Sequence, residues 1–454
     1  MKKIVYLIVL FIAIIIEARG QFEAVGYDFS GSATSLLLNP GTKINYQKAF
    51  GIPVFSNTRL FAGNTGFSLY DLFAPGTGFD EKFYRTLDKL ENTDFVLVNI
   101  KNEMFNYGWT DDLMRFKYFG MYLEFDHITY FPADFIRLGV YGNAADIYHV
   151  YDAKYLASKT DLIETFYFGI NKTTSFDLSI GYRFKLYSGI ANAQTVGNSG
   201  QFYTVDGQRN FYIHHLDNID IEAQSSGYNE NEDTASYYLS KFLFSGNYGL
   251  GFDFGLSYRY SDKISLSFSV LDLGFIYYRK DINNYKISGD YQFEGIEIQF
   301  SDNYEDYWAD ITDEFNEKVI AEDNTDPYFS IRPASFYFSL KYGMGDLKNQ
   351  SCKDFMNPRN EYNNYIGITA YSQLRPVKAH VGISGFYEKK WSSRLSTKIN
   401  LSMDNYSYSS IGAGLLWTTG KLQWTVTMDN LYGLTDLAKS RKQSLQIGLN
   451  LLYF

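Results

Sequence analysis

Lys421-Leu422-Gln423-Trp424-Thr425-Val426-Thr427-Met428-Asp429 alternates polar and apolar residues one for one. Successive side chains of a strand point to opposite faces, so this stretch predicts a strand with one apolar and one wet face. Ser444 to Phe454 repeats the pattern, with Leu445, Ile447, Leu449 and Leu451 on one face and Ser444, Gln446, Gly448 and Asn450 on the other. Ile264 to Leu271 and Leu395 to Met403 behave similarly. A soluble β-sandwich also alternates. Here the pattern recurs along most of the 454 residues with no domain break, and several runs match the roughly 9–11 residues that a tilted strand needs to cross a bilayer. The fold class read from this is all-β, a transmembrane antiparallel β-barrel.

Composition agrees. The chain has 41 Tyr and 38 Phe but only 8 Pro. Aromatic rings favour strands and the two interfacial girdles of membrane barrels. The N-terminus, Met1-Lys2-Lys3 followed by an apolar run from Ile4 to Ile16, reads as an export signal, removed near Gly20. Thirteen apolar residues fall short of the roughly 20 that a spanning helix needs. Loss of residues 1–20 takes Lys2, Lys3, Arg19 and Glu17 with it, and the net charge of −10 becomes −12. An acidic chain of this kind is no nucleic-acid partner. The expected address is the outer membrane, among its lipid and lipopolysaccharide, reached through the barrel-assembly machinery. Phe454 is the expected assembly signal, although Asn450, Gly448 and Gln446 break the apolar alternation counted back from it.

Short connections at Ser261-Asp262 and Thr418-Thr419-Gly420 contrast with long polar ones over Asn218–Ser245 and Tyr278–Arg332. With the C-terminus in the periplasm, strand parity puts the long ones outside. Asp80 to Leu90 and Phe131 to Leu138 carry helical spacing and read as parts of a plug or a periplasmic cap. One domain, 21–454, is expected, with 31–75 as an N-terminal plug segment.

The runs Leu38-Asn39-Pro40-Gly41, Gly51-Ile52-Pro53-Val54-Phe55-Ser56 and Gly63-Asn64-Thr65-Gly66-Phe67-Ser68 resemble the start of a Bacteroidetes outer-membrane family of unknown function, related to barrels similar to the long-chain fatty-acid transport porins. Tyr130-Phe131-Pro132-Ala133-Asp134 and Tyr182-Arg183-Phe184-Lys185-Leu186 look like further family blocks, and Arg332-Pro333-Ala334 like a weaker one. The resemblance implies about 14 strands and an N-terminal segment tucked into the lumen. Asn39, Pro40, Gly63, Asn64 and Gly66 are the plug or lumen candidates. The resemblance carries no catalytic residue across.

Chemistry is otherwise sparse. Gly63-Asn64-Thr65-Gly66 lacks the Lys and following helix of a phosphate loop and reads as a turn. His214 and His215 are strand neighbours on opposite faces, so they cannot chelate one metal, and are read as one lumen and one girdle residue. Lysine- and arginine-bearing strands can line a lumen. No nucleophile elbow or zinc-protease motif is present, so no enzyme, metal or cofactor is expected. Asp302 to Asp326 packs ten carboxylates against Lys318, while Tyr304, Trp308, Ile311, Phe315 and Val319 recur at helical spacing. This reads as an amphipathic helix in the long acidic loop 278–332. Trp308, Asp306, Asp310, Asp313 and Glu317 are its candidates for a lid or a calcium-bridging loop, although the EF-hand spacing is absent. Asp233-Thr234-Ala235 matches a three-residue glycosylation pattern. Two functions follow: a passive conduit or binding channel for a hydrophobic or amphipathic small molecule, or a non-transporting scaffold that docks a surface secretion or gliding component.

Overall fold

The computed structural model describes residues 24–454 apart from 145, 175–176, 209–210, 229–240, 243, 295–311, 349–360 and 408. The export signal, Cys352, Asp233-Thr234-Ala235, Asp306, Trp308 and Asp310 therefore lie outside the described residues.

Fourteen strands form the wall: β1 (Lys48–Gly51, resuming as Asn57–Asn64), β2 (Phe95–Thr110), β3 (Arg115–Tyr130), β4 (Ser158–Thr173), β5 (Leu178–Thr195), β6 (Tyr248–Arg259), β7 (Ile264–Tyr278), β8 (Tyr328–Ile331, resuming as Ser335–Lys348), β9 (Glu361–Gln373), β10 (His380–Lys390), β11 (Leu395–Met403), β12 (Ser410–Thr419), β13 (Leu422–Met428) and β14 (Lys442–Tyr453). Each pairs antiparallel with its neighbours, and β14 returns to β1 with Phe50 opposite Leu451 and Leu60 opposite Leu445. Closure satisfies every edge, which a sheet in hydrocarbon requires.

The two interruptions in the wall are sealed. In β1 the Ile52 amide bonds Leu449 O and the Val54 amide bonds Met104 O, so 52–56 bulges yet touches both neighbours. In β8 the Arg332 amide bonds Gly274 O, and the Leu374 amide reaches Ala334 O.

Period-two alternation sets the faces. Gln423, Thr425 and Thr427 are buried in the lumen while Trp424 is exposed outside. On β14 the outward row is Leu445, Ile447, Leu449, Leu451 and Tyr453, with Gln446, Gly448, Asn450 and Leu452 buried inside. The broken alternation counted from Phe454 thus has a physical reason. Phe454 lies past the strand and shares parity with the inward row; the unbroken apolar row ends at Tyr453.

Short turns, such as 111–114, 260–263, 391–394 and 420–421, share one end of the barrel with Tyr453. The opposite end carries the long connections. Two of these hold strands rather than loop. Ser199–Asp206, Tyr212–Ser226, Ile282–Phe293 and Val319–Asn324 form a sheet that continues from β5 through Ala193–Ser225 pairing and projects beyond the rim. Residues on both sides of Asn218, itself a bulge, and much of 278–332 therefore belong to paired backbone, and Val319 opens a strand instead of closing a helical stripe; helix covers 312–318. Helices α1 (Leu69–Phe73), α2 (Phe79–Leu87) and α3 (Ala133–Tyr141) also stand at this end, and are neither plug nor cap on the C-terminal side.

Candidate functional site

The lumen is filled in three layers. The deepest is the N-terminal segment 24–47, which enters from the β1 end and makes one helical turn over Ser35–Leu38. As far as Tyr46 its backbone–backbone bonds are local, as in Ser35 N to Ser32 O and Thr42 N to Asn39 O, and Gln47 begins the wall pairing with its amide on Tyr453 O. Residues 24–46 add no strand to the wall.

Side chains from around the ring hold it instead. Arg183 Nη1 and Nη2 donate to Leu36 O and Leu37 O at 3.2 and 2.7 Å. Lys398 Nζ donates to Tyr27 O at 2.6 Å, Ser269 Oγ to Leu38 O at 2.7 Å and Lys341 Nζ to Asp28 O at 2.9 Å. Asn171 Nδ2 reaches Pro40 O and Thr42 O, and Gln423 Nε2 reaches Gly31 O. These bonds satisfy carbonyls that the segment cannot satisfy itself. Asn39 and Pro40 sit in this segment. Asn39 Nδ2 donates to Leu256 O, and its Oδ1 accepts from the Gly41 amide at 2.8 Å, closing an Asx turn. The turn presses on the wall where Gly181 and Gly255 leave no side chain, since a Cβ on Gly181 would overlap the Pro40 carbonyl.

The plug expected over 31–75 is thus shorter. Gly63 and Asn64 lie in wall strand β1, because Arg59 and Phe61 face in while Leu60 and Ala62 face out. Gly66 sits on the rim turn, its amide bonded to Asn64 Oδ1 at 3.0 Å.

Above the plug lies a layer of buried ion pairs. Arg183 and Lys185 share Asp253 at 2.5 and 2.9 Å, and Lys185 also meets Asp272 at 2.6 Å. Arg332 bridges Glu124 and Asp161 at 2.7 and 3.2 Å. Arg375 grips Asp126 through both terminal nitrogens, at 2.5 and 3.0 Å. The first set joins β5 to β6 and β7, and the Arg332 and Arg375 pairs tie β3 and β4 to β8 and the 374–379 turn across the lumen. Sequence parity could have found the two cations on β5, since Arg183 and Lys185 alternate with outward Tyr182 and Phe184; partner identity needed the fold.

The outermost layer is aromatic. Phe61, Phe95, Leu97, Ile128, Tyr130 and Tyr406 pack together, and the His380 ring lies on Phe95 at 4.3 Å. Over it opens a vestibule of about 500 Å³ lined by Lys89, Asp94, Lys378, Tyr406 and Arg441 among others. Inside, the cavities shrink. One of about 40 Å³ lies between plug and ion pairs, lined by Leu37, Leu38 and Leu271 and by Arg59, Lys101, Arg183, Glu124 and Asp272. A second, against Tyr46 and Phe116, is about 30 Å³. One water takes about 30 Å³ of liquid, so neither cavity forms a through-path.

His214 and His215 are neither lumen nor girdle residues. Both lie in the projecting sheet, His214 bonded to Thr204 Oγ1 at 2.9 Å and His215 stacked on Tyr203 at 4.7 Å, on opposite faces. Asp313 and Glu317 are exposed on 312–318, apart from the plug candidates. Among the described residues no group of three His, Cys, Asp or Glu side chains could hold a metal ion.

A family model described as a family of unknown function (DUF5723) matches residues 40–429. No curated protein matches. Similar solved structures include the Pseudomonas putida toluene transporter TodX, 9% identical over 96% of this chain and 95% of that one, TM-score 0.38. A Pseudomonas aeruginosa FadL homologue is 9% identical over 96% and 100%, TM-score 0.42. The translocator domain of the autotransporter NalP from Neisseria meningitidis is 7% identical over 95% and 93%, TM-score 0.31.

Proposed function

The chain belongs to the DUF5723 family, whose function is unknown, and from that footing we propose that it is a non-enzymatic outer-membrane β-barrel that passes a hydrophobic or amphipathic small molecule when its plug moves. The observation that carries this is how segment 24–46 is held. Side chains bond it to the wall, while no strand pairing does, so it can shift without unzipping the barrel. A dozen-odd bonds at a net of about 0.5–1.5 kcal/mol each would be a firm latch, but a ligand that replaces a few of them lowers that barrier. The small cavity beside the plug is lined by Leu37, Leu38 and Leu271 together with charged side chains of both signs, among them Arg183 and Asp272, a mixed lining that an amphipathic molecule meets once the plug shifts.

The test removes residues 24–46, leaving β1 intact, and reconstitutes the barrel in planar bilayers. The expected result is a stable open conductance and faster uptake of a hydrophobic fluorescent probe into vesicles. A sealed barrel after deletion would sink the proposal. In the second reading, a docking scaffold, the projecting sheet would be the contact surface; a partner that co-purifies stoichiometrically and is lost when that sheet is trimmed would support it.

A further inference from the structure

The described surface carries one large apolar feature outside the lipid-facing wall. Helices α1, α2 and α3 form a ledge at the rim over β1–β3. Its inner side is core: Leu87, Leu90 and Ala133 are buried, with Phe67, Phe83 and Phe131 packed against them. Its outer side is apolar as well. Phe73, Phe79, Tyr84 and Tyr141 run as a ring-to-ring series linked through half-buried Phe83, with centroids 6.0 Å apart for Phe73–Phe79 and 5.7 Å for Tyr84–Tyr141. Phe73 is 68% exposed, Leu69 59% and Phe79 53%. The series continues sideways to the 431–441 connection, where the Tyr70 amide bonds Ala438 O at 2.8 Å and Lys439 sits over the Tyr70 ring. Leu434 and Leu437 are exposed there too. Isolated exposed apolar groups need no explanation, but a contiguous aromatic patch on this scale marks a contact.

We infer that this ledge is seated in the interface of the outer leaflet, so that lipid is what covers it. Continuity with the lipid-facing wall is the argument. On β2 the outward row runs from Trp109 and Tyr107 up through Ile100 and Val98 to Val96, one residue below the ledge's own connection. On β1, Leu60 and Ala62 face out just below Asn64. The thirteen steps from Trp109 to Val96 span roughly 43 Å along the strand. A tilt of about 40° leaves roughly 33 Å of height, against an apolar band of about 25 Å. The excess of about 8 Å is shared between the two interfacial girdles, so the ledge stands just above the apolar band, in the layer where amphipathic helices lie with one face about 5–10 Å into the headgroup boundary. A cation such as Lys439 beside the rings suits the same depth. The ledge then acts as an outrigger that fixes barrel height and tilt on the β14–β3 side.

The experiment places an environment-sensitive fluorophore on Phe73→Cys, and separately on Leu434→Cys, in a Cys352→Ser background, with the full chain in nanodiscs that carry nitroxide lipids. Ile100→Cys reports the wall. All three sites are predicted to lose roughly half or more of their emission, Ile100 best with acyl-chain nitroxide and the ledge sites best with headgroup-proximal nitroxide. Ledge probes that emit as in water and are unquenched, with Ile100 quenched, would overturn the inference. Ledge probes that are shielded but unquenched by lipid would also overturn it, assigning the ledge to a second copy or to the chain itself. An unquenched Ile100 site would fail the membrane-barrel reading, and the ledge with it.

Discussion

Gly181 is where a single atom decides the state of the lumen. Its inward face has no side chain, and the Pro40 carbonyl occupies that space under the grip of Asn171. In Gly181→Ala the added methyl has nowhere to go except against the Asn39-Pro40 turn, an overpacking that costs about 1–3 kcal/mol. The plug side yields, since the wall is fixed by pairing on both edges. The expected outcome is a lower unfolding temperature in detergent and intermittent conductance in planar bilayers, both absent in the parent. Arg375 shows the other residue-scale effect. It and Asp126 are each about 1% exposed at the side chain, so Arg375→Ala leaves a carboxylate buried without its cation, a loss of about 3–5 kcal/mol. Arg375→Met with Asp126→Leu removes both charges and should recover most of that stability. Denaturant unfolding of the three proteins in micelles checks this; equal losses in single and double variants would show that the stranded carboxylate is not what destabilises Arg375→Ala. The wall parity that exposes these residues was readable in the sequence at Arg183 and Lys185. Arg375 was not, because it lies in a turn where no period applies.

At the scale of elements, the turn 111–114 between β2 and β3 shows how the short end is fixed. Asp111 accepts from Arg115 Nε and Nη2 at 2.9 and 2.7 Å, and also from the Leu113 and Arg115 amides. The Arg115 hydrogen bonds hold its carboxyl well below the usual carboxylate range, with the backbone amides helping. A depressed native pKa means that the turn's contribution is full above the unfolded carboxylate range and fades as pH falls through the native one. The unfolding temperature of Asp111→Asn should therefore lie below the parent's at neutral pH, and the gap should close in strong acid. A gap that is constant with pH would refute the role of the charge. The plug is the opposite kind of element. It owes its shape to local turns and its place to other strands' side chains, so its boundaries could not be read locally. Residues 48–64 follow it without a break and were expected as plug, yet they are wall, since Arg59, Phe61 and Gly63 alternate with Leu60 and Ala62. The projecting sheet escaped for a related reason. Its strands are half-exposed on both faces, so they lack the contrast that makes alternation visible.

For the whole molecule, the ring of fourteen strands, the sealed interruptions at 52–56 and 332–334 and the three-layered filling describe a closed state. The intact chain should conduct little in planar bilayers, and the protein lacking 24–46 should conduct steadily; comparison of the two under the same voltage is the direct check. The fold class was legible because a membrane barrel writes one face in lipid-soluble residues and the other in polar ones, a code that stretches such as Lys421–Asp429 carry without reference to any other part of the chain. The end that bears the short turns followed from the same parity. Tertiary structure alone decided which polar residues meet inside. Arg332 and Asp161 are 171 positions apart, as Arg183 and Asp253 are 70 apart. Their union depends on where closure brings each strand around the ring, and local sequence holds no record of that angle.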